Sequence, residues 1–309
     1  MNKEYTVPTW EPGVKQLAPN IYAYIQAKAT WYWSNAGFIV GNDYVVVVDS
    51  LATVGLTQRF KDEIRKITDK PIRYLINTHH HGDHTYGNHV FAGASIISHN
   101  YCRHEAIEAG IMDPGLLNTI FPEFDFRGIA VTPADITFDK QLTLHVDERE
   151  IQLLHLGPGH TIGDIIVYLP KDGVIFAGDL IFLYSTPSGM EGSFVGWISD
   201  LDVMAKLAAQ IYVPGHGPVC GIEGLNLCRD YLLLVQSEAK KRFDKGMSVE
   251  QAAKDIDLGQ FKKWPNRERI LANLERLQRE FRGEDPATSK LDLVDVFFRM
   301  ATMAEAGEL

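Results

Sequence analysis

The chain has 309 residues, 45% of them hydrophobic, which is ample for a sizeable core in one or two domains. Its formal net charge of −10 and its scattered basic residues exclude the nucleic-acid binders, which need clustered Lys and Arg; the densest cluster, Lys240-Lys241-Arg242, reads as a solvated helix face. No window approaches the roughly 18 apolar residues of a membrane span, the start Met1-Asn2-Lys3-Glu4-Tyr5-Thr6 has no apolar signal core, and Cys102, Cys220 and Cys228 are too few for a disulfide framework, so a cytoplasmic protein without a membrane partner is expected.

In chain order, short apolar runs at 21–26, 36–40 and 44–48 predict strands separated by turn residues such as Gly41-Asn42-Asp43. Between the first two lies Trp31-Tyr32-Trp33, three adjacent aromatics that cannot all be core. They either cover a substrate, with Trp31 and Trp33 as contacts, or pack on the N-terminal arm. Asp49 ends the third run and fits two roles: a brace for a neighbouring loop, or the N-cap of the helix that follows. That helix is predicted over 54–67, with Leu56, Phe60, Ile64 and Ile67 at helical spacing. A strand over 72–76 then empties into Thr78-His79-His80-His81-Gly82-Asp83-His84.

A strand at 95–98, a helix at 103–109 and an irregular stretch from Gly110 to Pro133 carrying Phe121, Phe124 and Phe126 come next. Strands are predicted at 142–146, 150–156, 165–169 and 174–176, with Lys171-Asp172-Gly173 as a hairpin turn, then a helix over 199–209 and a strand at 211–213. Past residue 220 the pattern turns helical. Leu225, Cys228, Leu232 and Val235 form a stripe, Ser248-Val249-Glu250-Gln251 opens a second helix as a capping box, and Ile270, Leu274, Leu277 and Phe281 mark a third. These helices pack on the core or on a partner subunit. After the linker Gly283-Glu284-Asp285-Pro286, a last helix over 291–303 has Leu291, Val294, Phe297, Phe298 and Ala301 as its apolar face, the kind of terminal helix that docks a second copy into a homodimer.

The run at 79–84 reads H-x-H-x-D-H, and imidazole nitrogen and carboxylate oxygen are the ligands that zinc and similar divalent ions take. A short His-rich run can also bind metal adventitiously, but this one has company. His160 in Gly159-His160-Thr161, Asp179 in Gly178-Asp179-Leu180 and His216 in Gly215-His216-Gly217 each follow an apolar strand-like run and each stand beside glycine. Strand alternation points His79 and His81 the same way, and Gly82 permits a tight turn back to Asp83 and His84. A ligating His needs its other nitrogen held, and Asp49, Thr78 and Thr161 are the candidates; each threonine can equally satisfy its own loop backbone.

The ordered set H-x-H-x-D-H, G-H-T, G-D and G-H-G resembles the metallo-β-lactamase fold superfamily of metallohydrolases over roughly residues 20–230. The resemblance implies a four-layer αβ/βα sandwich as the catalytic domain, residues 1–230, with a C-terminal helical extension, residues 231–309. It implies that His79, His81 and His160 hold one metal, that Asp83, His84 and His216 hold a second, and that Asp179 bridges them: two Zn2+, or Fe or Mn. It also implies that the hairpin carrying Trp31 folds over the metals and that the 110–133 stretch lies near the site edge. The β-lactamases of the superfamily usually lack the bridging carboxylate, so Asp179 aligns this chain with glyoxalase II-like thioesterases, lactonases and general hydrolases. Lactonases place Tyr three residues after that Asp; here the position is Phe182, with Tyr184 two further on as the nearest substrate contact.

The implied chemistry is attack by a metal-bridging hydroxide on the carbonyl of an ester, thioester, lactone or amide, with Asp83 and Asp179 as catalytic groups and an apolar or aromatic small molecule as substrate. Two other activities share the ligands: a mononuclear iron dioxygenase of the persulfide-dioxygenase type, and weak to moderate β-lactam hydrolysis. A non-catalytic binding relative is the remaining class, and it commonly loses one or more of these ligands.

Overall fold

The computed structural model describes residues 6–307. In chain order its elements are β1 (Gly13–Ala18), β2 (Ile21–Ile25), β3 (Ala36–Val40), β4 (Val45–Val48), α1 (Val54–Ile67), β5 (Ile72–Ile76), α2 (Gly82–Thr85), β6 (Ser95–His99), α3 (Asn100–Ala109) and α4 (Pro114–Ile120). The second half holds β7 (Ile136–Phe138), β8 (Gln141–Val146), β9 (Arg149–Leu154), β10 (Ile166–Leu169), β11 (Val174–Phe182), α5 (Phe194–Met204), β12 (Ile211–His216), α6 (Ile222–Phe243), α7 (Val249–Asp255), α8 (Arg269–Phe281) and α9 (Leu293–Glu305).

Two sheets face each other, ordered β1-β2-β3-β4-β5-β6-β7 and β12-β11-β10-β9-β8. In the first, β1 to β4 pair antiparallel and β4 to β7 parallel. In the second, β11 and β12 are parallel and the rest antiparallel.

The alternation of β4 shows how the layers form. Val46 and Val48 point into the inter-sheet core with Val167, Leu169, Phe176 and Val213. Val45 and Val47 point the other way, onto Leu56, Phe60 and Ile64 of α1. Burial on both faces explains why this strand reads as four consecutive valines rather than as an alternating pattern. On the far side of the second sheet, Ile166, Ile175 and Tyr212 pack on α5 to α9 in the largest core cluster. The architecture is therefore the α/β sandwich with a C-terminal helical extension that the sequence implied. No helix among the described residues is long and apolar enough to cross a membrane.

Several boundaries differ from the sequence reading. β1 and β7 lack a strong apolar run and went unpredicted. The helix expected over 199–209 is α5, which starts at Phe194 because the Ser193 side chain caps the Gly196 N–H. α6 runs unbroken through residue 230, so the extension begins inside a helix. The face expected of the last helix is also different. Of the expected residues Leu291 is buried and Phe297 packs on the core, but Val294 and Phe298 are 75% and 73% exposed and Ala301 is exposed, while Val296, Met300 and Met303 are buried. α9 presents its 296–300–303 stripe inward, rotated from the stripe that hydrophobicity alone suggests.

Candidate metal centre

Four chain segments meet at one end of the two sheets. The first leaves β5 through Asn77 and Thr78 to His79 and His81, and then turns into α2, which carries Asp83 and His84. Gly82 is needed here for space rather than for an unusual φ: a Cβ on it would lie 2.2 Å from the Tyr86 ring. The second is the loop after β9, carrying His160. The third is β11 itself. Asp179 lies inside this strand, not in a turn after it as the sequence suggested, because β11 continues to Phe182. Pairing with β12 slips on either side of Gly178, whose φ of 52° and contact with Thr78 admit only glycine. The fourth is the end of β12 at His216.

These segments bring all seven expected ligands together. His81 Nδ1 is 3.2 Å from His79 Nε2 and 2.9 Å from His160 Nε2. Nitrogens about 2.0–2.1 Å from a tetrahedral zinc stand roughly 3.3 Å apart, so three imidazoles converging at this spacing fit one ion. The second set gathers around Asp83, whose Oδ2 is 3.2 Å from His216 Nε2 and 3.7 Å from His84 Nε2. Asp179 faces both sets. Its Oδ2 is 3.5 Å from His160 Nε2 and 3.4 Å from His216 Nε2, and its Oδ1 is 3.1 Å from His84 Nε2. The Asp179 Oδ1 and His84 Nε2 atoms are buried and face each other outside good hydrogen-bond geometry, as atoms that would share a cation do.

The electrostatics match that use. Burial drives His79 well below its ordinary value, and His160 down to about 3, so both present neutral nitrogen. Burial opposes ionisation of Asp83, but the His84 and His216 rings outweigh it and hold the carboxyl at about 2. Asp179 is likewise held well below the carboxylate range, by His216 and His84 against burial. Burial also pushes His84 down, but the Asp179, Asp83 and Asp49 carboxylates overcome it and hold the ring well above its ordinary value. That site is electron-rich, and a cation is what relieves it.

Supporting contacts orient the rings. Asp49 accepts from the Thr78 N–H and hydroxyl, both at 2.8 Å, and its Oδ2 is 2.9 Å from His84 Nδ1. This is the bracing role; the N-cap of α1 is Thr53 instead. Thr78 Oγ1 also lies 3.1 Å from His79 Nδ1. Thr161 does not reach a ligand ring: its N–H and hydroxyl both donate to Asp164 at 2.7 Å and close the His160 loop on itself. His160 Nδ1 is held at 2.6 Å by the Ser188 carbonyl instead. Asn35, which no motif marked, donates to the Pro214 and Gly217 carbonyls and fixes the turn that carries His216.

The residue that sequence reading missed with most consequence is Glu191. Its Oε2 lies 2.5 Å from His81 Nε2 and 3.5 Å from His80 Nε2. Burial disfavours the charged form of His81, yet the Glu191 carboxylate outweighs it and raises the ring's pKa. His80, which stands between the ligands His79 and His81, thus shares this carboxylate. The available signal was weak: Glu191 stands beside glycine, as the other ligand-type residues do, but no strand-like run precedes it.

Over the ligands opens a cavity of about 200 Å3, lined by His81, Asp83, His160, Asp179 and His216 on one side and by Trp31, Met190, Arg269 and Phe297 on another. Of the expected substrate contacts, only Trp31 lines it. Trp33 turns away and packs on Phe124 at 4.9 Å, and Tyr184 stacks on Trp10 and meets Trp264 edge-on.

Residues 29–216 match the family model of the metallo-beta-lactamase superfamily. Among curated proteins, the chain is 24% identical over 257 residues to the linear primary-alkylsulfatase of Pseudomonas sp. (strain ATCC 19151), covering 69% of this chain and 48% of that protein. It is 28% identical over 176 residues to the metallo-beta-lactamase type 2 of Elizabethkingia meningoseptica, covering 56% of this chain and 64% of that one. In fold it is similar to the stereoselective inverting sec-alkylsulfatase of Pseudomonas sp., with a TM-score of 0.65 at 18% identity over 90% of this chain and 51% of the other. The chain thus spans about half the length of the alkylsulfatases it matches.

Proposed function

From the premise that this chain belongs to the metallo-beta-lactamase superfamily, we propose that it is a dinuclear zinc hydrolase acting on an ester, thioester, lactone or amide of an apolar or aromatic small molecule. The observation that carries this reading is Asp179, one carboxylate facing two complete ligand sets at the floor of an apolar-walled cavity. Two divalent cations held there supply a water acidified to near neutral pH and a Lewis acid for the electrophile. Asp83, ionised and lining the cavity, orients the attacking water and accepts its proton on a carboxylate oxygen. Asp179 sets the spacing of the two ligand sets. Glu191 and Asp49 fix the orientation of His81 and His84. The likeness to alkylsulfatases adds sulfate esters to the substrates worth testing.

Metal content by plasma mass spectrometry on untagged protein, followed by an ester, thioester, lactone, β-lactam and alkyl sulfate panel, tests this. About two zinc ions per chain with turnover of one class supports it. About one iron per chain, with oxygen consumption and no hydrolysis, puts the dioxygenase in its place. A homodimer through α9, where Val294 and Phe298 are exposed, belongs to the same reading; a monomer mass in light scattering at micromolar concentration removes it.

A further inference from the structure

Arg269 lines the cavity, and the site as described leaves its charge unused. It is the first residue of α8, it belongs to the helical extension, and only 1% of its surface is exposed. Its guanidinium carbon lies over the Trp31 ring, 3.8 Å from the centroid, and 5.4 Å from that of the Phe182 ring. The Phe182 ring in turn stacks on His216 at 5.0 Å with an interplanar angle of 6°, so the cation stands one aromatic ring away from the second ligand set.

Its own bonds are few. Both hydrogen bonds leave from Nη1, to the Thr186 carbonyl at 2.8 Å and the Ser185 hydroxyl at 3.5 Å. Nε is buried and has no partner. Two turns further along α8, Arg276 is equally buried but has the Glu280 carboxylate 3.9 Å away; Arg269 makes no such ion pair among the described residues, and the Glu268, Asp179 and Asp83 carboxylates act on it only from a distance. Burial lowers its pKa to about 10, which leaves it charged at neutral pH.

A buried cation with no carboxylate in contact is costly, and at a cavity wall an anion arriving with the ligand can relieve that cost. A guanidinium pinned by one nitrogen and held over an indole is already ordered, so its remaining N–H groups can grip a planar or tetrahedral oxyanion with little further entropy loss. Met112, Met190, Leu293 and Phe297 supply apolar lining to the same cavity.

We propose that Arg269 binds an acid group, a carboxylate or a sulfate, carried by an apolar body, so that this site takes amphiphilic anions with the acid group next to the Trp31 indole. The inference rests on the hydrolase reading for what happens to the ligand afterwards, but not for its binding.

The test is calorimetric titration of the metal-loaded protein and of its Arg269→Met variant with hexanoate, hexyl sulfate and hexanol. Any binding of the anions to metal is common to both proteins and cancels in the comparison. We expect the variant to bind both anions at least tenfold more weakly, while hexanol reports the apolar walls alone. A loss confined to hexanoate or to hexyl sulfate upholds the inference and names the acid group. Equal anion affinities in the two proteins overturn it and leave Arg269 as a structural tie between α8 and Trp31. If Arg269→Met does not fold, Arg269→Lys keeps the charge but loses the fork, and a several-fold loss is then expected; no loss overturns the inference. Failure of the whole substrate panel would remove the hydrolase reading without touching this comparison, so the two can fail separately.

Discussion

The two walls of the cavity are built in opposite ways. The ligand wall comes from strand ends of the two sheets: His79 and His81 just past β5, Asp179 within β11, His216 at the end of β12. Its side chains are polar, close-set and braced by short contacts such as Asp49 to His84. The facing wall comes from segments far apart in sequence. Trp31 sits in the β2–β3 hairpin, Met190 in the loop before α5, Arg269 in α8 and Phe297 in α9, and they meet through ring contacts, with Trp31 5.4 Å from Phe297 and 3.8 Å from Arg269. One wall is dictated by backbone topology; the other is assembled by tertiary packing, so the reaction and its specificity can change independently.

That division is broken most sharply at Asp179. Replacing it with Ala removes the one carboxylate shared by both ligand sets, and turnover should fall by about 10³-fold or more, some 4 kcal/mol of barrier. Metal per chain should drop in parallel while the circular dichroism of the fold is kept. Wild-type turnover in Asp179→Ala would end the two-metal reading.

A smaller effect is expected at Glu191, which lines the cavity and meets His81 at Nε2. Glu191→Gln keeps the size but removes the charge that orients His81. Loss of such a partner costs about 10–100-fold in metal affinity or activity. Metal competition titrations against a chelator would show it. Unchanged affinity would mean that the ring is held by His79 and His160 packing alone.

The same contrast explains what was legible in the sequence. Ligand spacing is local: H-x-H-x-D-H is read directly, and each remaining ligand stands beside a glycine that its backbone needs, as Gly178 does with its positive φ. The sandwich was legible too, because β4 and α1 carry the periodicities of a doubly covered strand and an amphipathic helix. The facing wall was not. Trp33 and Tyr184 look as available in sequence as Trp31, and only the packing of Phe124, Trp10 and Trp264 takes them away from the cavity. Arg269 at the start of a charged helix looks like a solvated residue until Trp31 covers it. The face of α9 fails for the same reason. A stripe of Val294, Phe298 and Ala301 is as hydrophobic as the one that faces inward, and only its neighbours decide between them.

The sharpest small test lies within one hairpin. Trp31 and Trp33 are two residues apart, and only the first lines the cavity. Trp31→Leu removes the indole that stacks on Arg269 and donates to Glu268 at 2.9 Å, so KM for a turned-over substrate should rise several-fold. Trp33→Leu removes packing on Phe124 and the cation contact with Lys28 at 5.6 Å, so it should cost roughly 1–3 kcal/mol of stability with KM unchanged. Steady-state kinetics and urea denaturation of the two variants separate these outcomes. Equal effects on KM would mean that the whole aromatic hairpin moves over the substrate as one unit, and that the facing wall is set by the backbone of the β2–β3 hairpin rather than by the side chains packed against it.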